Sequence, residues 1–448
     1  MKYWQLLALS FVFTTSAFGS VSAYFNQRTS TRYTDPYRNI TRNGDNLEAV
    51  ILDQIASAQK SIYVAVQEIR LPLIAQALIN KKKQGVDVRL VIEDSYNFDV
   101  MSQRDTAGDN EHEATRVNDL VAFVDLNRNG RIEKSEQETR DAIYMLRAAQ
   151  VPLMDDTFDG SRGSGLMHHK FMIVDGKSTV VSTANFTMSC IHGDILAPQS
   201  RGNANSMLVV QSAQFAQIFT QEFAQLWGNG RRGNYGQNKA YRPPQTVSVR
   251  GVKLTVQFSP TSARFNWEES VNGLIAKVLS RSTQSIKAAL FVFSDQKIAD
   301  VMERRHDAGV NIGVIIQPSF AFREYSELLD LMGIALLNQK CEYEPDNNPW
   351  RNPVQEAGYA NLPKGDMLHH KFAVVDRRAV IVGSQNWSEA ANYINDETLV
   401  VVEGVGIAEQ YAREYDRIKQ SASLGPNSWL LQQVSQKEAA CANKGYHF

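Results

Sequence analysis

Met167-His168-His169-Lys170-Phe171-Met172-Ile173-Val174-Asp175 and Leu368-His369-His370-Lys371-Phe372-Ala373-Val374-Val375-Asp376 are near copies of one another. In each, a His and a Lys are separated by one residue inside an apolar run of β character, so on an extended strand the two project from one face. An imidazole beside an ammonium group suits an anionic phosphate. Two such units are what in-line phosphoryl chemistry through a histidine nucleophile requires. By the same alternation His169 and His370 point to the opposite face, as packing or supporting groups.

Outward from these stretches the repeat continues. Ser61 to Val66 corresponds to Ser285 to Leu290, and Gly85 to Ile92 corresponds to Gly309 to Ile316. Helical patterns over Glu48–Ala58 and Leu73–Lys83 alternate with these strands, and helices over Phe215–Trp227 and Ile407–Ile418 follow the two His/Lys strands. Short connections between alternating elements predict an α/β fold, with two duplicated domains of mixed sheet flanked by helices and related by a pseudo-two-fold axis. Such an axis would bring the two His/Lys units together. The predicted divisions are a leader over 1–23, an extended segment over 24–46, a first domain over 47–227 with an insert at 97–150, a linker over 228–246, a second domain over 247–422 and a tail over 423–448. Glycine, asparagine and proline crowd the linker, which reads as a flexible connector.

Composition sets wide bounds. With 43% hydrophobic and 21% charged residues the chain can bury a sizeable core, and a formal net charge of -1 gives no overall pull toward polyanions. Lys2, the apolar stretch Leu6–Phe13 and the small residues Val21-Ser22-Ala23 have the form of an export signal. Cleavage is expected after Ala23, with Gly19 as a second candidate, which would make the protein secreted or periplasmic. No later stretch is long and apolar enough to span a bilayer. The three cysteines, Cys190, Cys341 and Cys441, are too few for a disulfide framework. A single bridge between Cys341 and Cys441 and three solitary thiols both remain open.

The first half carries an insert the second lacks. Within it, Asp125, Asn127, Asn129, Arg131, Glu133 and Glu136 occupy positions 1, 3, 5, 7, 9 and 12 of a twelve-residue loop, with Gly130 at 6 and Ile132 at 8. This pattern resembles the EF-hand calcium loop position by position, flanked by helical patterns over Ala114–Val124 and Lys134–Ala149. One loop without a partner loop suits a structural Ca2+ clip better than a sensor.

The paired strands resemble the phospholipase D superfamily, defined by two His-x-Lys-x4-Asp motifs. Both are complete here, as His168, Lys170, Asp175 and as His369, Lys371, Asp376, and each is followed by a small-residue turn and an Asn: Ser182-Thr183-Ala184-Asn185 and Gly383-Ser384-Gln385-Asn386. The resemblance implies a phosphohistidine mechanism with no cofactor for the chemistry, and a monomer, since both motifs lie in one chain. Lys170, Lys371, Asn185 and Asn386, with Thr183 and Ser384 in the turns, are the candidates for binding phosphate. Asp175 and Asp376 complete the motifs, and their places at strand ends suit holding the strand. Phe186 and Trp387 read as core.

Glu397 stands where the family places an acidic partner for the catalytic imidazole, and the matching first-half residue is Asn205. Assigned by half, Glu397 serves His369 and Asn205 serves His168. A carboxylate stabilises imidazolium where an amide only orients a neutral ring, so His369 is expected to be the acid/base and His168 the nucleophile. Asp194 is a candidate for the missing first-half charge. The expected activity is a secreted phosphodiesterase that hydrolyses phospholipid. The alternatives are an endonuclease acting on DNA or RNA by the same chemistry, a phosphatidyltransferase, and a non-catalytic calcium-binding surface protein. Arg231, Arg232, Lys239 and Arg242 are the local basic cluster that favours nucleic acid.

Overall fold

The alternation of strand and helix resolves into two mixed sheets. The computed structural model describes residues 19–102 and 111–444, so the apolar stretch Leu6–Phe13 of the expected leader lies outside the described residues. In spatial order the first sheet runs Ser20–Phe25, Ser206–Gln211, Ser178–Ser182, Lys170–Val174, Ser61–Val66, Asp87–Ile92 and Leu153–Asp155. The second runs Gln245–Val249, Val252–Phe258, Thr398–Glu403, Ala379–Gly383, Lys371–Val375, Ser285–Leu290, Asn311–Ile316, Glu356–Tyr359 and Ser423–Leu424. Each His/Lys strand sits mid-sheet, antiparallel to both neighbours.

Side-chain alternation then decides the layers. Phe171 and Ile173 of one motif strand, and Phe372 and Val374 of the other, enter a single core shared by both halves. Met172 and Val174 face a separate outer core in the first half, and Ala373 and Val375 face another in the second. The shared core also takes the apolar faces of the helices Ala213–Trp227 and Val405–Ser421, through residues such as Phe219, Phe223, Tyr411 and Tyr415. The halves are therefore fused through a common interior rather than docked as finished domains. Burying a side chain of this size is worth about 1.5–3 kcal/mol, so the shared layer is a large part of what holds the halves in register.

Three local expectations change. Residues 24–46 are not an extended lead-in: Ser20–Phe25 pairs along its whole length with Ser206–Gln211, and Arg32–Thr34 pairs with Thr41–Asn43. The expected cleavage point after Ala23 falls inside that paired strand, whereas Gly19 lies just before it. The linker is not a loose connector either. Tyr235 and Lys239 are buried, and Lys239 forms ion pairs with Glu222 of the first half and Asp396 of the second. In the insert, the helix expected from 134 to 149 breaks in two, Lys134–Arg140 and Ala142–Ala148. Asp141 makes the break, its carboxylate accepting from the amides of Ile143 and Tyr144 to cap the second helix and from Val100 N–H.

Candidate active site

The two motif strands begin where the halves meet. His168 N–H donates to Asp396 C=O (3.0 Å), and His369 N–H donates to Ala204 C=O (3.1 Å). These reciprocal bonds, with the bridges Met167 to Asp396 and Ala204 to Leu368, place the histidines symmetrically across the interface. They also bring the segment after each motif against the histidine of the other half.

The imidazole partners are consequently crossed. His168 Nδ1 lies 2.7 Å from Glu397 Oε2, and His369 Nδ1 lies 3.0 Å from Asn205 Oδ1. The assignment by half is thus corrected: Glu397 belongs with His168 and Asn205 with His369. The Asn205 amide nitrogen donates to the carbonyls of Cys190 and Asn203, so its oxygen must face the ring, and His369 Nδ1 must be the donor. Nε2 of His369 is then left toward the cleft.

Thr183 and Ser384 are fully buried and do not face the cleft. Thr183 Oγ1 donates to Asn205 Oδ1 (2.7 Å), and the Ser384 hydroxyl bonds to Glu397, so both steady the partners of the histidines. Asp175 and Asp376 are likewise remote from the histidines. Their carboxylates accept backbone N–H groups of Gln59, Lys60 and Ser61, and of Thr283, Gln284 and Ser285, pinning the start of the adjoining strand in each sheet.

The ammonium groups do converge. Lys170 Nζ donates to His168 C=O (2.8 Å) and Gln67 Oε1 (3.2 Å), and Lys371 Nζ donates to His369 C=O (2.8 Å) and lies 4.7 Å from the centroid of Phe291. Gln67 Oε1 also accepts from Asn185 Nδ2, while the amide oxygens of Asn185 and Asn386 are buried without a hydrogen-bond partner among the described residues. His169 bonds Thr398 Oγ1 and lies near Glu222, and His370 bonds Glu414, both on the opposite strand face as alternation requires. Phe186 and Trp387 are core.

Two further positions went unread in the sequence. Glu93 Oε2 accepts Met167 N–H, and Gln317 Oε1 accepts Leu368 N–H at the matching place in the second half. Gln67 and Phe291 are a second matched and unequal pair. The signal was available in the aligned strands, since each residue directly follows one of the repeated strands.

The repeated halves coincide with a known family. Residues 51–227 and 275–419 match the family described as Cardiolipin synthase, PLD-like domain. The chain belongs to this family. Among relatives of the PLD-like chain, a mitochondrial cardiolipin hydrolase of Mus musculus is 27% identical over 153 residues, which are 34% of this chain and 58% of that protein. A phospholipase D of Rickettsia conorii is 22% identical over 194 residues, covering 41% of this chain and 86% of that protein. The solved phosphatidylserine synthase of Haemophilus influenzae matches with a TM-score of 0.53 at 11% identity, over 89% of this chain and 92% of that one, a likeness of fold.

Burial sets the electrostatics of the PLD-like site. Desolvation, then the two lysines, hold both His168 and His369 well below the usual imidazole value. Desolvation lifts Glu397 to about 7, against the pull of Lys170, and lowers Lys170 to about 8. Two close, buried ammonium groups that partly repel each other are a site waiting for negative charge.

The calcium-loop residues lie elsewhere, in the insert. Asp125 accepts from Asn129 N–H and Gly130 N–H, Asn127 Oδ1 from Asn129 N–H, and Asn129 Oδ1 from Arg131 N–H. Glu136 accepts from Asn127 N–H and Glu133 N–H, and Glu133 accepts from the Asn129 amide. Gly130 has φ +78°, the left-handed turn that position requires. Among the described residues, the groups of three His, Cys, Asp or Glu side chains close enough to share one ion are His169, Glu222, Asp396 and Glu93, Asp94, Asp156, not this loop.

Proposed function

We propose that the chain is a phosphodiesterase of phospholipase D type, hydrolysing phospholipid phosphodiester bonds through a phosphohistidine on His168. The crossed partners carry this reading. When Nε2 of a neutral imidazole attacks phosphorus, the ring becomes cationic, and a carboxylate on Nδ1–H stabilises that cation better than an amide. Glu397 stands at His168, so His168 is the nucleophile and His369 the acid/base. If the carboxylate marked the acid/base, the observed pairing would reverse the two roles; the lasting positive charge of a phosphorylated ring instead places the carboxylate at the nucleophile.

The chain's own groups suffice for each step. Lys170 and Lys371 hold the equatorial oxygens as negative charge builds. Entry of the phosphodiester anion between them favours protonation of His369, whose Nε2–H then protonates the departing alcohol as the His168–phosphorus bond forms. Water enters, His369 takes its proton, and attack on phosphorus breaks that bond.

One observation favours lipid over nucleic acid. Lys239 and Arg242 of the basic cluster are paired with buried Glu222, which removes them from any patch facing a polyanion. The test is parallel incubation with phosphatidylcholine vesicles, supercoiled plasmid and single-stranded DNA. Choline release with intact plasmid is expected, and nicking without choline release would overturn the lipid reading. With a p-nitrophenyl phosphodiester, whose leaving group needs no proton, a covalent phosphate label should persist in His369→Ala and be absent from His168→Ala.

Calcium is proposed for the loop Asp125–Glu136 as a structural clip, with Asp125, Asn127, Asn129 and Glu136 as side-chain donors and the carbonyl of Arg131 completing the set. Support comes from the twelve-residue pattern and from the turn at Gly130. Chelator should lower the melting temperature, and an unchanged melt would refute the site.

A further inference from the structure

A pocket of about 500 Å³, separate from the histidine site, opens beside the amino-terminal hairpin Arg32–Thr34 and Thr41–Asn43. Segments far apart in sequence wall it: Arg32 and Arg42 from the hairpin, Arg201 from the first half, and Pro363 and Arg417 from the second. None of its lining residues is acidic. It shares two loops with the active site, because Asn203 and Met367, a few positions beyond Arg201 and Pro363, line the space beside His369. An occupant would therefore rest against the segments that lead to Asn205 and to His369.

The neighbouring carboxylates are already committed. Glu414 accepts from Arg417 and bonds His370 Nε2, Asp45 pairs with Arg28 at 3.2 Å, and Asp35 pairs with Arg38 at 3.2 Å. Asp366 accepts the backbone N–H groups of Arg201 and Gly202 and the Ser200 hydroxyl. The Arg201 guanidinium bonds only the carbonyls of Pro198 and Ser200, and among the described residues no carboxylate lies within ion-pair distance of Arg32, Arg42 or Arg201.

Arg42 is 4% exposed, and its guanidinium bonds only backbone carbonyls, those of Asn26, Asn43, Ile191 and His192. A buried cation without a counter-charge is costly, and carbonyl dipoles offset part of that cost. Burial holds this guanidinium below its ordinary value, with Arg38 and Arg201 adding to the shift and Tyr33 and Asp366 opposing it. A structural tie between the hairpin and the loop at Ile191 accounts for Arg42 alone. It does not account for Arg32 and Arg201 gathered at the same pocket.

Guanidinium groups arriving from different segments can each engage oxygens of one tetrahedral phosphate, whereas a single arginine satisfies a planar carboxylate. We propose that this pocket is a second anion site, in which Arg32, Arg42 and Arg201 hold a phosphate monoester group or inorganic phosphate. The group comes either from free phosphate or from the head group of an anionic lipid. Neither the roles of the histidines nor the identity of the substrate enters this inference.

The test uses the full chain carrying His168→Ala, so that nothing is turned over, and adds to it either R32Q/R201Q or, as a charge control in the exposed linker, R231Q/R232Q. Equilibrium dialysis with radiolabelled inorganic phosphate counts the sites: R32Q/R201Q should bind one phosphate fewer per chain, and R231Q/R232Q as many as the parent. Sedimentation with phosphatidylcholine vesicles, with and without phosphatidic acid, distinguishes the sources. If the occupant is a lipid head group, the preference for phosphatidic acid should fall by about tenfold or more in R32Q/R201Q, two surface cations being removed. A lost phosphate with unchanged vesicle preference assigns the site to free phosphate. The Arg32 side chain is exposed and bonds nothing among the described residues, so R32Q alone serves if the double variant does not fold. If the pocket variant matches R231Q/R232Q in both measurements, the proposal is overturned.

Discussion

Glu397 and His168 lie 229 positions apart in the chain and 2.7 Å apart in space. The carboxylate is fully buried, between a strand of one half and the motif of the other. When Glu397 is ionised, His168 Nδ1 must carry the ring proton and Nε2 is a free lone pair. When it is protonated, Nδ1 becomes the acceptor and the proton moves to Nε2, which can no longer attack.

Activity should therefore follow the titration of this pair. Glu397 sits at about 7 and Lys170 at about 8. The ratio kcat/KM should rise as pH passes through about 7 and fall above about 8, where the phosphate-binding ammonium is lost. Glu397→Gln should lower kcat by about 10²-fold or more and erase the acid limb while keeping the basic one. A variant that keeps the acid limb would show that another group sets it.

Glu93 gives a stability measurement separate from catalysis. Burial, then Asp156, raises its carboxyl from 4.5 to about 8. The folded state thus holds an extra proton between those values, and stability falls as pH rises across that window. Glu93→Gln, which places here the residue found at matched position 317, keeps an acceptor for Met167 N–H and removes this slope. Melting temperatures measured from pH 5 to 9 should show the variant gaining on the parent as pH rises, and parallel curves would refute it.

Cys341 and Cys441 are disulfide-bonded, which settles the cysteine alternatives left open by the sequence. Cys190 is free and buried. The bridge ties the helix Ser428–Ala442 to the second half around a loop of 100 residues. Cys441→Ser should cost about 2–5 kcal/mol, and reductant should lower the melting temperature of the parent but not of the variant. Equal responses to reductant would refute the bridge.

The edge strand Ser20–Phe25 predicts where a leader can be removed. Cleavage after Ala23 would strip four of its six residues from their pairing with Ser206–Gln211, and cleavage after Gly19 would strip none. Amino-terminal sequencing of exported protein should therefore read Ser20 first. A sequence beginning at Tyr24 would mean that the strand forms only in the precursor.

The internal repeat, the alternation of strands and helices, and the two His/Lys faces could all be read from the chain, because periods of two and 3.6 residues are local properties of a backbone. Those same local rules sent His169 and His370 to the opposite face and Phe186 and Trp387 to the core. They also misread Lys239, whose neighbours resemble a flexible connector while its charge is consumed by Glu222 and Asp396 from distant segments. Only the tertiary structure decided which acid serves which histidine. Asn205 and Glu397 each lie nearer in sequence to the histidine they do not touch, and the pseudo-two-fold contact at Ala204 and Asp396 exchanges them. Pairing across such an interface depends on how two sheets share one core, a contact between residues far apart in the chain that no local period records.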